Sequence, residues 1–535
     1  GTVAGLDSNS PAYDLTIRAQ AVPLDETLAA SLGPSRRSAY DPLKMAGSAD
    51  AHIKVFTDLN EPPPDHVGFR AEVSLQDVSL SVFEGRVRLT HSNGRAVLTP
   101  GSVTVQDLAC LYGQAAVCLS GEAALRQGAT SAGDRWTVQA QRVPVEDLLT
   151  VLPDSSREAV QRFHPSGLVD VGADLDKAGP LAPLRVTAKV QCLENRIRAD
   201  AFPYPLRDLT GTITVTPERI LLEGLRARPD ANTPPGLVQA SGSLEMGQLG
   251  VTSVDLGLTA EDIRVDTTLE QALPGPLAES VGRWDPSGLV CLTEGRIHID
   301  RPAQGPWETH FEGQVRLDPL QMDLLGTPAA CRAALQIQGA HRSEQGLAQC
   351  QIRADIDRVT LKGTSATDLR GVLDYDPQTR TWHGEQVWGR FYGGRLDGRV
   401  EFGQGTDQAG VLQVQLGVDQ ANLADLLSDH AGSAPIRGTP STGTLNGRLA
   451  LTIPLDSPAE RLGHLEFLIS DMQIGKASPL SRILDVLRLS DPSDFLFERM
   501  EVDSYIRGDK LWIEQLDMSG NSVAFQGSGV LDLDK

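Results

Sequence analysis

Apolar and polar residues alternate along much of the chain. Between Tyr13 and Gln20 the apolar Leu15, Ile17 and Ala19 are separated by polar residues, and the same two-residue period returns many times. Because successive side chains of a strand point to opposite faces, each such segment predicts a strand with one apolar and one polar face. The other clear examples lie at 67–75, 186–192, 348–356, 412–418, 445–453 and 465–469.

This one-sided alternation predicts antiparallel sheet. Strands of a parallel sheet are covered on both faces and read as continuous apolar runs, whereas the stretch from Ile352 to Asp357 alternates strictly. Helices are expected to be few and short, and most of them carry an acidic residue in the first turn. They are predicted at 24–32, 145–152, 155–163, 267–273, 276–281, 423–428 and 480–489.

The helical inserts mark a long internal repeat. One unit reads strand, short turn with helix, Pro-x-Gly or a near variant, and the next strand. Its prolines are Pro42, Pro165, Pro286 and Pro440, and they are followed by Gly47, Gly167, Gly288 and Gly443. A repeat of supersecondary units is therefore expected.

Two shorter pieces recur between these inserts. The run from Asp208 to Gly211 matches the run from Asp368 to Gly371, and each is interpreted as the opening of a series of strands. Tyr112-Gly113 and Tyr392-Gly393 are interpreted as hairpin turns, because glycine readily adopts the positive φ that such turns require.

The charge of the chain excludes some partners. Lys and Arg number 48 against 70 Asp and Glu, which gives a net charge of −22. Nucleic-acid binding and attachment to anionic lipid both need a basic surface, so neither is expected. No apolar run reaches the roughly 18 residues of a membrane span. The first residues, 1–5, resemble no signal peptide, and we expect the chain to be a piece of a longer protein whose anchor lies outside it.

Candidate chemistry is sparse. The sequence contains no nucleophile elbow, P-loop, dinucleotide fingerprint or zinc-protease motif, and the ten histidines are scattered. We therefore expect no enzyme activity, cofactor or metal. Asp170, Asp174 and Asp176 are spaced like calcium ligands but lack an EF-hand glycine and glutamate, so calcium is only an alternative. Cys110 and Cys118 flank a turn and could face the same side of a hairpin, which leaves a disulfide open.

The C-terminal third resembles the AsmA-like family, including its TamB-type relatives. The resemblance is carried by the order and spacing of short motifs, and weaker copies extend it back to residue 12. These motifs are Phe391–Gly394, Gly443–Leu449, a helix at 479–489, and the segments 495–502, 508–513 and 523–533. The resemblance implies a mostly β fold, an elongated, curved antiparallel β-sheet groove built of repeats with short helical inserts.

The resemblance also implies a function and a location. Such proteins are bacterial bridge-like lipid transfer proteins, which carry phospholipid between the inner and outer membranes during outer-membrane biogenesis. The implied partners are phospholipid acyl chains, the two membranes and membrane proteins at the ends. The implied location is the periplasm, with an inner-membrane anchor outside this chain. The expected domains are three β-groove repeats at 1–130, 131–250 and 251–405, and an AsmA-like C-terminal domain at 406–535.

The apolar phase of the clearest strands supplies the candidate lipid-lining residues. A continuous aliphatic wall suits acyl chains, because each methylene moved into water costs about 0.8 kcal/mol. The alternative is a tandem β-sandwich scaffold or adhesin, or an assembly factor for outer-membrane proteins, with self-sealed cores. The candidates are Leu15, Ile17, Val186, Val190, Ile352, Ile356, Val414, Leu416, Leu449, Leu451, Phe467 and Ile469.

Overall fold

A computed structural model shows the chain to be mostly β, with short helices between some of the strands. Two compact units are present, residues 1–232 with 238–254 and residues 233–237 with 255–535. The residues that the structure describes are 1–4, 12–32, 37, 40–57, 67–82, 85–124, 133–152, 154–179, 182–200, 202–230, 236–247, 250–273, 282, 284–300, 306–323, 328–343, 346–361, 363–404, 410–430, 441–473, 496–520 and 524–533.

The first unit contains twelve complete strands. They are β1 Thr2–Ala4, β2 Ala12–Pro23, β3 Ala46–Thr57, β4 Val67–Val82, β5 Val87–Leu98, β6 Ser102–Tyr112, β7 Ala115–Ala124, β8 Asp134–Pro144, β9 Ser166–Lys177, β10 Arg185–Ala199, β11 Phe202–Val215 and β12 Arg219–Pro229. Its helices are α1 Glu26–Ser31, α2 Val145–Val151 and α3 Asp154–Gln161, with a 3₁₀ turn at Asp41–Leu43. Two strands contain residues of both units, β13 Leu237–Gly247 and β14 Gly250–Val265.

The second unit contains thirteen complete strands. They are β15 Ser287–Asp300, β16 Glu308–Asp323, β17 Pro328–Arg342, β18 Gly346–Leu361, β19 Thr364–Asp376, β20 Thr381–Phe391, β21 Gly394–Gln404, β22 Gly410–Asn422, β23 Thr442–Pro454, β24 Leu462–Gln473, β25 Leu496–Arg507, β26 Lys510–Gly520 and β27 Ala524–Asp532. Its helices are α4 Thr267–Ala272 and α5 Leu423–His430, with a 3₁₀ turn at Pro458–Glu460.

In each unit the sheet is open and curved, and its strands follow one another as an antiparallel meander. In the first unit each strand from β1 to β12 is hydrogen-bonded to the next one in sequence. The second unit repeats this arrangement from β15 to β27. The predicted fold class is thereby confirmed.

Strands are interrupted by β-bulges at residues with a left-handed backbone. In β4 the apolar residues Val73 and Leu75 are followed by two polar residues, Gln76 and Asp77, before Val78 resumes the apolar series. The extra residue therefore keeps the apolar side chains on one face beyond the bulge. Within the described part of the chain, twelve strands contain such a non-glycine residue with positive φ: Ala21, Asp77, His91, Asp107, Arg142, Glu194, Asp208, Asp262, Glu294, Asp368, Gln420 and Asp471.

Each predicted repeat glycine is the second residue of the strand that follows a helix. Gly47, Gly167, Gly288 and Gly443 have φ values of 135°, 112°, 148° and 150°. A Cβ on Gly47 would lie 2.9 Å from the carbonyl oxygen of Asp77, the bulge residue of the next strand. The glycine is required because the chain approaches the neighbouring bulge too closely for any side chain.

Helices cover the ends of the strands beyond the bulges. Leu24, at the start of the α1 segment, packs against Val78 and Leu108 in one buried cluster. Val145, the first residue of α2, belongs to a second cluster, and Leu423 of α5 belongs to a third. Asp25 caps α1 by accepting hydrogen bonds from the backbone N–H groups of Thr27 and Leu28. The fully buried core therefore lies mainly along this edge of the strands.

Most of the helices and strands predicted from the sequence are present in the structure. Five helices and all seven clear strands are confirmed, whereas the predicted helices at 276–281 and 480–489 lie outside the described residues. Asp208 and Asp368 do not open strands, because each is a bulge residue inside one. The four predicted domains stay a prediction. Among the described residues, each helix is too short to cross a bilayer.

Candidate functional site

In the first unit, strand register aligns apolar and small residues in rows across the sheet. One row begins at Ala19 on β2 and reaches Val186 on β10, and every step joins directly opposite residues. The members between them are Ala51, Val73, Ala96, Val105, Gly121, Trp136 and Leu175. Opposite residues on one face of an antiparallel pair lie within about 5.5 Å, so the row forms a continuous apolar band.

The second unit contains equivalent rows. One runs from Val400 on β21 to Leu531 on β27 through Val414, Leu451, Gly463, Ile506 and Leu511. Another crosses β15 to β19 through Leu292, Val315, Leu335, Ala354 and Gly371. Both rows consist of aliphatic residues and glycine, so no polar side chain interrupts them.

Away from the bulges, most of this apolar face is only partly buried. Val315, Leu335, Ile337 and Ile352 are all half-buried, although each lies in the middle of its strand. In a sandwich, side chains at such positions would be buried by a facing sheet. These four side chains are therefore covered mainly by neighbouring side chains on the same face, and part of their apolar surface remains accessible to solvent.

The predicted lining residues of the first unit lie on the same face of the sheet as the row from Ala19 to Val186. Leu15 is opposite Val55, and Ile17 is opposite Ile53. Val190 lies between Val171 on one side and Ile213 on the other, and Val186 is opposite Leu175. Ile17 is the most accessible of the four, with 47% of its surface exposed, and the other three are half-buried.

The predicted residues of the second unit lie on β18 and on the three successive strands β22, β23 and β24. Val414 is opposite Leu451, and Leu416 is opposite Leu449, so these four side chains form one patch on β22 and β23. Ile352 and Ile356 belong to the β15–β19 region. Phe467 is half-buried on β24, whereas Ile469 is only 5% exposed because it packs against Leu423 of α5 and Met472. Ile469 therefore offers little area to a ligand.

Sequence reasoning missed an aromatic group on the same face. Trp382 on β20 lies between Tyr375 and Phe402, with ring centroids 5.1 Å and 5.9 Å away. The three residues are half-buried and lie at the ends of their strands that are far from the bulges. The signal was weak, because the three aromatics belong to three different strands and only strand register brings their rings together.

The opposite face is polar and carries structural hydrogen bonds. Asp170 Oδ1 accepts from the backbone N–H of Arg142 at 2.8 Å, and Asp174 Oδ1 accepts from Thr137 Oγ1 at 2.8 Å. Asp176 forms an exposed ion pair with Arg135 at 2.9 Å. The three carboxylates considered for calcium are thus each engaged with a neighbouring strand.

Cys110 and Cys118 lie on opposite faces of the sheet. Cys110 is opposite Val117, and Cys118 is opposite Ala109, so the two thiols point to opposite faces of the β6–β7 hairpin. The expectation that they face the same side is wrong, because an odd register step moves a side chain to the other face. All six cysteines are free thiols. Burial, with a smaller contribution from Cys118, raises the pKa of Cys110 to about 11.

No family model, curated protein or solved structure matches the chain. The resemblance to AsmA-like proteins therefore stays a prediction.

Proposed function

We propose that the chain is a non-enzymatic lipid transfer protein that holds phospholipid acyl chains on its apolar β-sheet face. The proposal includes the setting implied by the family resemblance, a periplasmic path between inner and outer membranes. The observation that carries it is the combination of continuous apolar rows with half-exposed side chains. The row from Val400 to Leu531 offers an aliphatic side chain on every strand except β24, where Gly463 lies.

The energy of lipid transfer explains why such a face is useful. Two sixteen-carbon chains exposed to water would cost about 25 kcal/mol, which no isolated polar contact offsets. A continuous aliphatic surface replaces bilayer hydrocarbon with protein hydrocarbon at each step of the path. Rows of aliphatic side chains of different sizes suit a ligand without fixed shape. The polar face would meanwhile keep the loaded protein in solution.

The alternative is a scaffold, adhesin or assembly factor made of β-sandwiches. In such proteins the inner face of each sheet is sealed by a second sheet, and strand-centre side chains are buried. The partial exposure of Val315, Leu335 and Ile352 favours the lipid-binding proposal over sealed cores.

Phospholipid transfer between vesicles tests the proposal. Val414, Leu416, Leu449 and Leu451 are replaced together by Asp, which places four charges on the apolar patch. Transfer of a fluorescent phospholipid from donor to acceptor vesicles is expected to fall at least about tenfold, because charged carboxylates disfavour contact with acyl chains.

The same strands provide a matched control. Gln413, Gln415, Ala450 and Thr452 are the adjacent positions, pair with one another in the same register and lie on the polar face. Replacing these four by Asp is expected to leave transfer within about twofold of the unaltered protein. Far-ultraviolet circular dichroism checks that both proteins fold. Undiminished transfer by a folded apolar-patch variant would contradict the proposal.

A further inference from the structure

Three metal-ligating side chains meet on the polar face of β24 and β25. His464 Nε2 lies 2.7 Å from Asp503 Oδ1 and 3.7 Å from Glu466 Oε1. His464 and Glu466 are two residues apart on β24, and Asp503 is directly opposite Glu466 on β25. The strand geometry therefore brings the three side chains to one side of the sheet.

The spacing suits a small divalent ion. The three ligand atoms all lie within 4.8 Å of one another. Tetrahedral ligands at zinc distances are separated by about 3.4 Å, so small side-chain rotations would place an ion among them. The side chains of His464, Glu466 and Asp503 are 34%, 51% and 41% exposed, which leaves access for the ion and for a water as fourth ligand.

The cross-strand pairing supplies a second observation. Directly opposite like charges destabilise an antiparallel pair, and Glu466 is opposite Asp503. Arg448 lies opposite Glu466 on the other side, and Gln515 lies opposite Asp503. The row Arg448, Glu466, Asp503 and Gln515 thus contains two carboxylates and one basic side chain. The imidazole of His464 points toward the two carboxylates.

The imidazole is held in place by its neighbour. The ring of Tyr505, which is opposite His464 on β25, stacks on it with a centroid distance of 4.8 Å and an interplanar angle of 28°. Stacking limits rotation of the imidazole and keeps Nε2 directed at the carboxylates. A ligand that is already oriented loses less freedom when it binds a metal.

We propose that His464, Glu466 and Asp503 bind a divalent transition-metal ion of the Zn²⁺ type, which links β24 to β25. One imidazole and two carboxylates form a ligand set that zinc accepts, whereas calcium and magnesium prefer oxygen ligands alone. The two strands are separated in sequence by residues 474–495, so a metal link would tie together segments that no tight turn joins. This proposal does not depend on lipid transfer.

Calorimetric titration of the full chain with Zn²⁺ alone, after removal of bound metal by a chelator, tests the site. The unaltered protein is expected to bind one Zn²⁺ at this site, and His464→Ala and Glu466→Gln are each expected to weaken that binding at least about tenfold. Zn²⁺ is also expected to raise the melting temperature of the unaltered protein and not that of His464→Ala.

His91→Ala is the matched control. His91 Nδ1 lies 2.7 Å from Asp77 Oδ1, as His464 does from Asp503, but the described residues place no third ligand with it. Binding that is unchanged in His91→Ala and lost in the two site variants supports the proposal. Equal Zn²⁺ affinity in all of the proteins, or absence of binding to the unaltered protein, would overturn it. Glu466→Gln preserves side-chain shape, so its result does not depend on His464→Ala folding normally.

Discussion

The backbone N–H of Arg142 donates a hydrogen bond to Asp170 Oδ1 at 2.8 Å, and this bond joins β8 to β9 at a β-bulge. Arg142 has a left-handed backbone with φ of 55°. The bulge takes its N–H out of the regular ladder, and the carboxylate of Asp170 satisfies it. The same arrangement occurs for four further pairs: Ala21 with Asp50, Asp77 with Asn93, Asp107 with Ser120, and Gln420 with Asn446.

Removing this carboxylate tests the role of the bond. Asp170→Ala is expected to lower the free energy of unfolding by about 1 kcal/mol, because the N–H of Arg142 loses its partner. Urea denaturation followed by circular dichroism measures the change. Asp176→Ala serves as control, because it removes an exposed ion pair and should change stability by less than about 0.5 kcal/mol. Equal effects of the two substitutions would show that the bond is unimportant.

The left-handed backbone of Arg142 determines how substitutions at this position should change the stability of the protein. Arg142→Gly is expected to stabilise the protein by up to about 1 kcal/mol, because glycine adopts positive φ without a Cβ clash. Arg142→Val is expected to destabilise it by a similar amount, because a β-branched residue resists this conformation. The order of the three midpoints in urea is the measurement. A midpoint for the valine variant at or above that of the glycine variant would contradict the bulge geometry.

Buried thiols should resist chemical modification. Burial, with a smaller contribution from Cys118, raises the pKa of Cys110 to about 11. Burial also raises the pKa of Cys350 to about 11. At about pH 8 both are therefore expected to be protonated and unreactive toward iodoacetamide in the folded protein. Mass spectrometry should find them unmodified under native conditions and alkylated in urea. Rapid native alkylation of either residue would mean that its side chain is accessible.

His298 predicts a pH-dependent contribution to stability. Hydrogen bonds to Asp255 and, next, to Asp300 raise the pKa of His298 above its ordinary value. A raised folded-state pKa gives stability that is complete below the unfolded pKa and is lost as pH rises through the folded pKa. His298→Gln should therefore lower the melting temperature more at about pH 5.5 than at about pH 9.

Exposed His341 provides the comparison for that experiment. His341→Gln replaces a histidine of the same unit and is measured at the same two pH values. A pH-independent effect of His298→Gln would indicate that the two carboxylates do not favour the imidazolium.

Two-residue alternation was sufficient to predict the antiparallel sheet and the seven strands with the clearest pattern. It did not reveal that the apolar series continues past Asp77, because a bulge shifts the series by one residue and resembles the end of a strand. The same shift made Asp208 and Asp368 look like strand openings. Their sequence signal, an Asp followed directly by Leu, is interpretable only once the left-handed backbone is known.

The candidate site could be predicted only in part, because the sequence does not reveal the register in which the strands pair. Alternation assigned Val414 and Leu451 to the apolar faces of their strands, but it did not indicate that the two residues are directly opposite each other. Packing of Ile469 beneath α5 was also invisible, because the helix and the strand are distant in sequence. Contact between the aromatic residues Tyr375, Trp382 and Phe402 likewise depends on the register of three successive strands.

The central claim is that the apolar face holds lipid. The most direct measurement is purification of the protein without detergent, followed by organic extraction and quantification of phospholipid. If the apolar face binds lipid, more than about one phospholipid per chain is expected, because the exposed aliphatic rows would otherwise face water. A folded protein that repeatedly yields no lipid, even after incubation with phospholipid vesicles, would contradict it.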